Sequence, residues 1–140
     1  MFDVILLAVD GSEHGWRAAK VAGELARAVN AKDLLIVVAF EPTPDYLGEP
    51  WLSEAISART AQASQLLQRA EEIIGSLPLT PNKEVIEGSI AEAILDVAAT
   101  RKCDLIVMGS RGLGRLEGAL LGSNSQKVVS HAACPVLIVR

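Results

Sequence analysis

The chain has 140 residues, half of them hydrophobic but only 4% aromatic, with 17 Asp and Glu against 13 Lys and Arg for a formal net charge of −4. That length suits one domain over residues 1–140, and a core of Val, Ile, Leu and Ala suits a parallel sheet covered by helices. The scattered cations form no stripe able to neutralise a nucleic-acid backbone, and no apolar run approaches the roughly 20 residues of a membrane span. The opening Met1-Phe2-Asp3-Val4 lacks the layout of a signal peptide, so the expectation is a cytoplasmic protein with neither nucleic acid nor membrane as partner.

Val4-Ile-Leu-Leu-Ala-Val9 is a buried-strand pattern that stops at Asp10-Gly11-Ser12, a turn signal with a helix cap. Ala18, Val21, Ala22, Leu25, Ala28 and Val29 then recur at helical intervals, predicting a helix from about Glu13 to Asn30. Leu34 to Phe40 is uniformly apolar, as in an internal parallel strand. Glu41 to Trp51 holds three prolines and a glycine, which predicts an irregular loop whose tip covers a ligand. Trp51 is left open between covering a ligand and meeting a partner.

Ala63, Leu66, Leu67, Ala70, Ile73, Ile74 and Leu77 place a helix from a Ser53 cap to about Ser76, ended by Pro78 and Pro81. Lys83 to Glu87 reads as a charge-flanked edge strand, and Ser89-Ile-Ala-Glu92 as a capping box opening a helix to about Lys102. Leu105 to Met108 and Val136 to Val139 are the last strands, with a helix from Ser123 to Ala132 between them. Strands alternating with helices give an α/β, doubly wound parallel sheet.

The richest chemistry lies after the fourth strand, where Gly109-Ser-Arg-Gly112 is followed by a nine-residue spacer and Gly122-Ser123. Closely spaced glycines running into a helix offer free backbone N–H groups and a partly positive helix N-terminus, the requirements for holding a phosphate. A P-loop is excluded because no lysine follows Gly122, and a dinucleotide fingerprint because the first strand is followed only by Asp10-Gly11-Ser12. If the first and fourth strands are neighbours, Asp10 and Gly109 face each other across a switch-point crevice. Ser123 also begins Ser123-Asn-Ser-Gln126, a capping box, and Asp10 also serves as a turn residue.

G-x2-G-x9-G-[ST] in this slot resembles the nucleotide-binding subgroup of the universal stress proteins, the UspA-like family. The likeness runs from the Asp-Gly-Ser opening through Glu87-Gly88-Ser89 to Cys134-Pro135-Val136. It implies one five-stranded sheet ordered 3-2-1-4-5 with about four helices, and ATP or another adenine nucleotide, with or without Mg, at the switch point. Carried over by position, Asp10 contacts the ribose, a residue near Ala39 lines the adenine slot, and Met108, Gly109, Gly112, Gly122, Ser123 and Asn124 complete the ribose and phosphate site. Arg111 and Arg115, within the loop, are candidates to screen phosphate charge. The family also implies homodimers joined through Val136 to Val139, which would cover an apolar edge.

The expected function is regulatory nucleotide binding in a stress response. A slow ATPase or phosphotransferase at the same site is the alternative, since Arg111, Arg115 and Glu117 supply charges but no recognisable base and metal pair. A relative that works through protein contacts alone is a third. No catalytic residue or metal ligand is assigned. His14 and His131 stand apart from any Ser, Cys or carboxylate at relay spacing, Gly114 and Gly118 receive no role, and Cys103 and Cys134 read as reduced, small hydrophobes.

Overall fold

The computed structural model describes residues 1–112 and 121–140. Five parallel strands, β1 (Val4–Ala8), β2 (Asp33–Phe40), β3 (Asn82–Glu87), β4 (Leu105–Gly109) and β5 (Val136–Val139), form one sheet in the order β3-β2-β1-β4-β5. Helices α1 (Glu13–Val29), α2 (Trp51–Ile74), α3 (Ile90–Thr100) and α4 (Ser123–His131) connect them. The expected α/β architecture and strand order are therefore observed. No helix among the described residues is long and apolar enough to cross a membrane.

Strand alternation sends the core to two sides. Ile5, Leu7, Leu34, Ile36, Val38 and Val107 face α1 and α2, while Leu6, Leu35, Val37, Ile106 and Met108 face α3 and α4. Both faces being covered explains why β1, β2 and β4 are apolar without interruption. The registers bring Leu6 beside Leu35 and Ile106, at the centre of the sheet.

Sequence periodicity placed the buried face of α1 slightly wrong. The residues it buries are Gly15, Ala18, Ala19, Ala22, Gly23 and Ala26, and Ala28 is exposed. The reason is close packing on two sides, since a Cβ at Gly23 would lie 3.1–3.2 Å from Ile74 of α2, so small residues rather than large ones mark the seam. Asn30 ends the helix in the left-handed conformation, its N–H shared between the Ala26 and Arg27 carbonyls.

Three expected caps differ. Ser53 lies inside α2, which begins at Trp51 after Pro50, and its hydroxyl donates to the Glu49 carboxylate. Ser89 does precede α3, but its side chain makes no capping hydrogen bond. Gly122, not Ser123, is the N-cap of α4, so the Ser123 capping box is not formed. The 41–51 connection also contains a short 3-10 turn at Asp45–Leu47, where it was expected to be irregular throughout.

Candidate functional site

Successive crossovers from β1 leave in opposite directions, to β2 through α1 on one side of the sheet and from β3 to β4 through α3 on the other. A crevice necessarily opens between the carboxyl ends of β1 and β4. There the structure has a cleft of about 530 Å³, within the usual range for a small-molecule site. Asp10, Ala39, Met108, Gly109, Arg111, Gly112, Gly122, Ser123 and Asn124 all line it. Arg115 and Glu117 lie outside the described residues, as do Gly114 and Gly118.

On the β1 side, Ser12 caps α1 by accepting from the Gly15 N–H at 3.1 Å, and Asp10 Oδ1 accepts from the Ser12 N–H at 2.9 Å. Asp10 is thus both the turn residue foreseen and a cleft residue, because its second oxygen, Oδ2, is turned towards Gly112. A Cβ at Gly112 would come within 2.6 Å of that oxygen, so any larger residue there has to push the carboxylate aside. Ser12 also donates to the Arg111 carbonyl, tying the two turns across the crevice at 3.3 Å.

On the β4 side, Gly109 fills a different need. A Cβ there would fall 2.8–2.9 Å from the backbone of His14 and Gly15, so this glycine lets β4 end directly against the start of α1. Beyond it, the Gly122 N–H donates to the Ser110 carbonyl at 2.7 Å, and Ser125 donates its hydroxyl to the Gly109 carbonyl at 2.8 Å. These bonds fix the N-terminus of α4 at the cleft wall, where its first N–H groups and positive dipole end are presented. Arg111 Nε is buried without a hydrogen-bond partner among the described residues, so the site holds a donor in need of an acceptor.

Residues beyond the glycine motif contribute as well. Arg59 and Gln62 of α2 and Ile90 and Ile94 of α3 line the cleft, giving it a charged and an apolar wall. Arg59 lies over the Phe40 ring at 5.5 Å and donates to the Glu41 carbonyl. Sequence alone hides these residues because α2 and α3 reach the cleft only through the sheet order. Of the proline-rich loop expected to cover a ligand, only Glu41 reaches the cleft, and Trp51 points elsewhere.

His14 is not isolated, contrary to the sequence expectation. Its Nδ1 is 2.7 Å from Ser110 Oγ, joining residues 96 positions apart. Ser110 is buried and neither residue lines the cleft, so the pair fastens the root of the glycine loop to α1 instead of presenting a nucleophile. The two cysteines are free thiols, as expected. Burial pushes the Cys103 thiol from 9.0 up to about 11, and burial also raises Cys134.

Comparison with known proteins fits this geometry. The universal stress protein family model matches residues 1–140. The universal stress protein in QAH/OAS sulfhydrylase 3'region from Thermus aquaticus is 50% identical over 142 residues, covering all of both chains. Among solved structures, universal stress protein UspA from Lactobacillus plantarum superimposes with a TM-score of 0.87 at 28% identity, over 99% of this chain and 98% of the other. Another, a universal stress protein in complex with cAMP, gives a TM-score of 0.73 at 27% identity, over 99% and 97% of the two chains. With a full-length family match on a five-stranded sheet of the same order, the chain belongs to the universal stress protein family and has its UspA-like fold.

Proposed function

We propose that residues 1–140 form one nucleotide-binding domain, that its switch-point cleft binds an adenine nucleotide, ATP foremost, and that the protein acts as a regulatory binding module. The carrying observation is the unfinished polar wall of the cleft. Asp10, Arg111 and the N-terminus of α4 line one volume, Arg111 Nε has no hydrogen-bond partner among the described residues, and Gly112 leaves room for Asp10 Oδ2 beside the loop. A ribose satisfies the carboxylate through its hydroxyls, and phosphate oxygens satisfy the guanidinium and the helix N–H groups. Val37, Val38 and Ala39 at the end of β2, with Ile90 and Ile94 opposite, provide an apolar slot for a purine. The relative in complex with cAMP supports an adenine nucleotide as the ligand class.

In this reading Asp10 holds the ribose, Ala39 borders the base, and Met108, Gly109, Gly112, Gly122, Ser123 and Asn124 border ribose and phosphates. Arg111 meets phosphate charge. Occupancy alters the glycine loop and a partner surface, and two copies associate through β5. Isothermal titration with ATP, AMP and cAMP, together with mass spectrometry of any nucleotide retained through purification, tests it. Saturable binding that weakens in Asp10→Ala is the expected result, and failure of all three nucleotides to bind would falsify the reading.

A further inference from the structure

Two cations line the cleft among the described residues, and only one of them belongs to the glycine loop. Arg111 lies in the turn after β4, whereas Arg59 comes from α2 and meets the cleft at the exit of β2, beside Phe40 and Glu41. β1 stands between those two strands, so the exits of β2 and β4 are two strand spacings, about 10 Å, apart. The course of α2 separates Arg59 from the site's polar centre in the same way. Leu66 of α2 lies over the turn that holds Asp10, since a Cβ at Gly11 would be 3.1 Å from Leu66 Cδ2. Arg59 is seven residues earlier on the same face of that helix, which at about 1.5 Å per residue sets it roughly 10 Å back along the axis.

The surroundings of Arg59 leave its charge uncompensated. It is half-buried and forms no salt bridge among the described residues. Two neutral groups hold it instead, the Phe40 ring, 5.5 Å from the guanidinium carbon to the centroid, and the Glu41 carbonyl, which accepts from Nη1. Next to it is the slot of Val37, Val38, Ala39, Ile90 and Ile94, whose aliphatic side chains fit a flat ring without fixing its orientation. A guanidinium supplies what they lack, because its plane stacks on aromatic faces, nucleobases included, which the compact ammonium of lysine does not match.

We propose that Arg59 is a specificity residue for the nucleotide: its guanidinium plane, seated at the Phe40 ring, covers the purine in the β2 slot, so that Arg59 recognises the base while Arg111 and the glycine loop hold the phosphates. This role rests on the nucleotide reading of the cleft and extends it to α2, which the glycine motif does not reach. A cation acting on the base contributes the same whether one phosphate or three follow it. A cation acting on phosphate contributes more as phosphates are added.

Calorimetric titration of ATP, ADP and AMP into the full chain and into Arg59→Ala, Arg59→Lys and Arg69→Ala tests the assignment. Arg59→Ala is expected to weaken all three nucleotides by one common factor, about five- to tenfold. Arg59→Lys should recover less than half of that loss, since it restores the charge without the plane. Arg69→Ala removes the same charge from an exposed position of α2 and should change none of the three affinities. Thermal unfolding checks that each variant folds. A loss in Arg59→Ala that grows from AMP to ATP, full recovery in Arg59→Lys, or an equal loss in Arg69→Ala overturns the role. Wild-type binding that weakens in Asp10→Ala but not in Arg59→Ala removes this role alone, whereas a wild-type chain that binds none of the three removes the nucleotide reading and this role with it.

Discussion

Gly109 and Gly112 leave room for different neighbours, fixed backbone at one and a movable side chain at the other, which makes their predictions separable. Neither has a positive φ. At Gly109 the obstacle is the fixed backbone of α1, 2.8–2.9 Å from a built Cβ, so Gly109→Ala must push β4 and α1 apart. A loss of about 1–3 kcal/mol in stability is expected by chemical denaturation. At Gly112 the obstacle is the end of the Asp10 side chain, which can swing aside, so Gly112→Ala should leave the midpoint nearly unchanged and weaken nucleotide binding by displacing Asp10 Oδ2. The opposite ranking, binding lost at 109 and stability at 112, would contradict both assignments.

Cys103 makes a prediction of a different kind. Its thiol is raised from 9.0 to about 11, chiefly by burial, so between those values the unfolded chain ionises while the folded chain stays neutral. A raised folded-state pKa stabilises below the unfolded value and loses that contribution as pH climbs through the folded one. The fold should therefore lose on the order of 1–2 kcal/mol from this residue as pH rises from 9 to 11, after allowing for solvent near the thiol. Cys103→Ala should flatten that part of the pH–stability curve, which denaturation midpoints at pH 8, 9.5 and 11 would reveal.

At the scale of elements, the start of α1 joins fold to site. Ser12 satisfies the Gly15 N–H as N-cap and ties the Arg111 carbonyl to the β1 turn, so Ser12→Ala should cost about 1 kcal/mol and also loosen the glycine loop. Hydrogen exchange of the Arg111 and Gly112 amides should quicken in Ser12→Ala and remain unchanged in Ser53→Ala, whose hydroxyl only meets Glu49. Ser12 was legible from Asp10-Gly11-Ser12 because a cap following a buried strand is a local signal. Ser53 and Ser123 carried the same local signal, but α2 and α4 take Pro50 and Gly122 as their N-caps instead, while Ser89 holds the N-cap position of α3 without a side-chain hydrogen bond.

The same division holds for the site as a whole. The glycine spacing, which is written along the chain, pointed to Gly109, Gly112 and Gly122, all of which line the cleft, whereas Asp10 was placed opposite them only on the condition that β1 and β4 are neighbours, an order the family resemblance implied. Arg59, Gln62, Ile90, Ile94 and the His14–Ser110 bond were not legible, since each depends on elements meeting across the sheet. Ser125, which holds the Gly109 carbonyl, had one available signal: a serine on the first turn of a helix that follows a glycine loop.

For the whole molecule, the two edges of the sheet have opposite characters. β3 reads Asn-Lys-Glu-Val-Ile-Glu, with charges that oppose strand pairing, whereas β5 reads Val-Leu-Ile-Val and has no charge along it. Among the described residues only β4 pairs with β5, and Leu137 remains exposed on it. Such an edge in water favours association with a second β5, and the symmetric pairing of identical strands gives a closed dimer, not a filament. The expected result is a dimer by light scattering at micromolar concentration, converted to monomer by Leu137→Lys with the sheet intact by circular dichroism. Leu137 does not line the cleft, so the monomeric variant should retain nucleotide binding if the cleft belongs to each chain separately. A wild-type monomer would remove β5 as the interface, whereas a dimer indifferent to Leu137→Lys would move it to another surface.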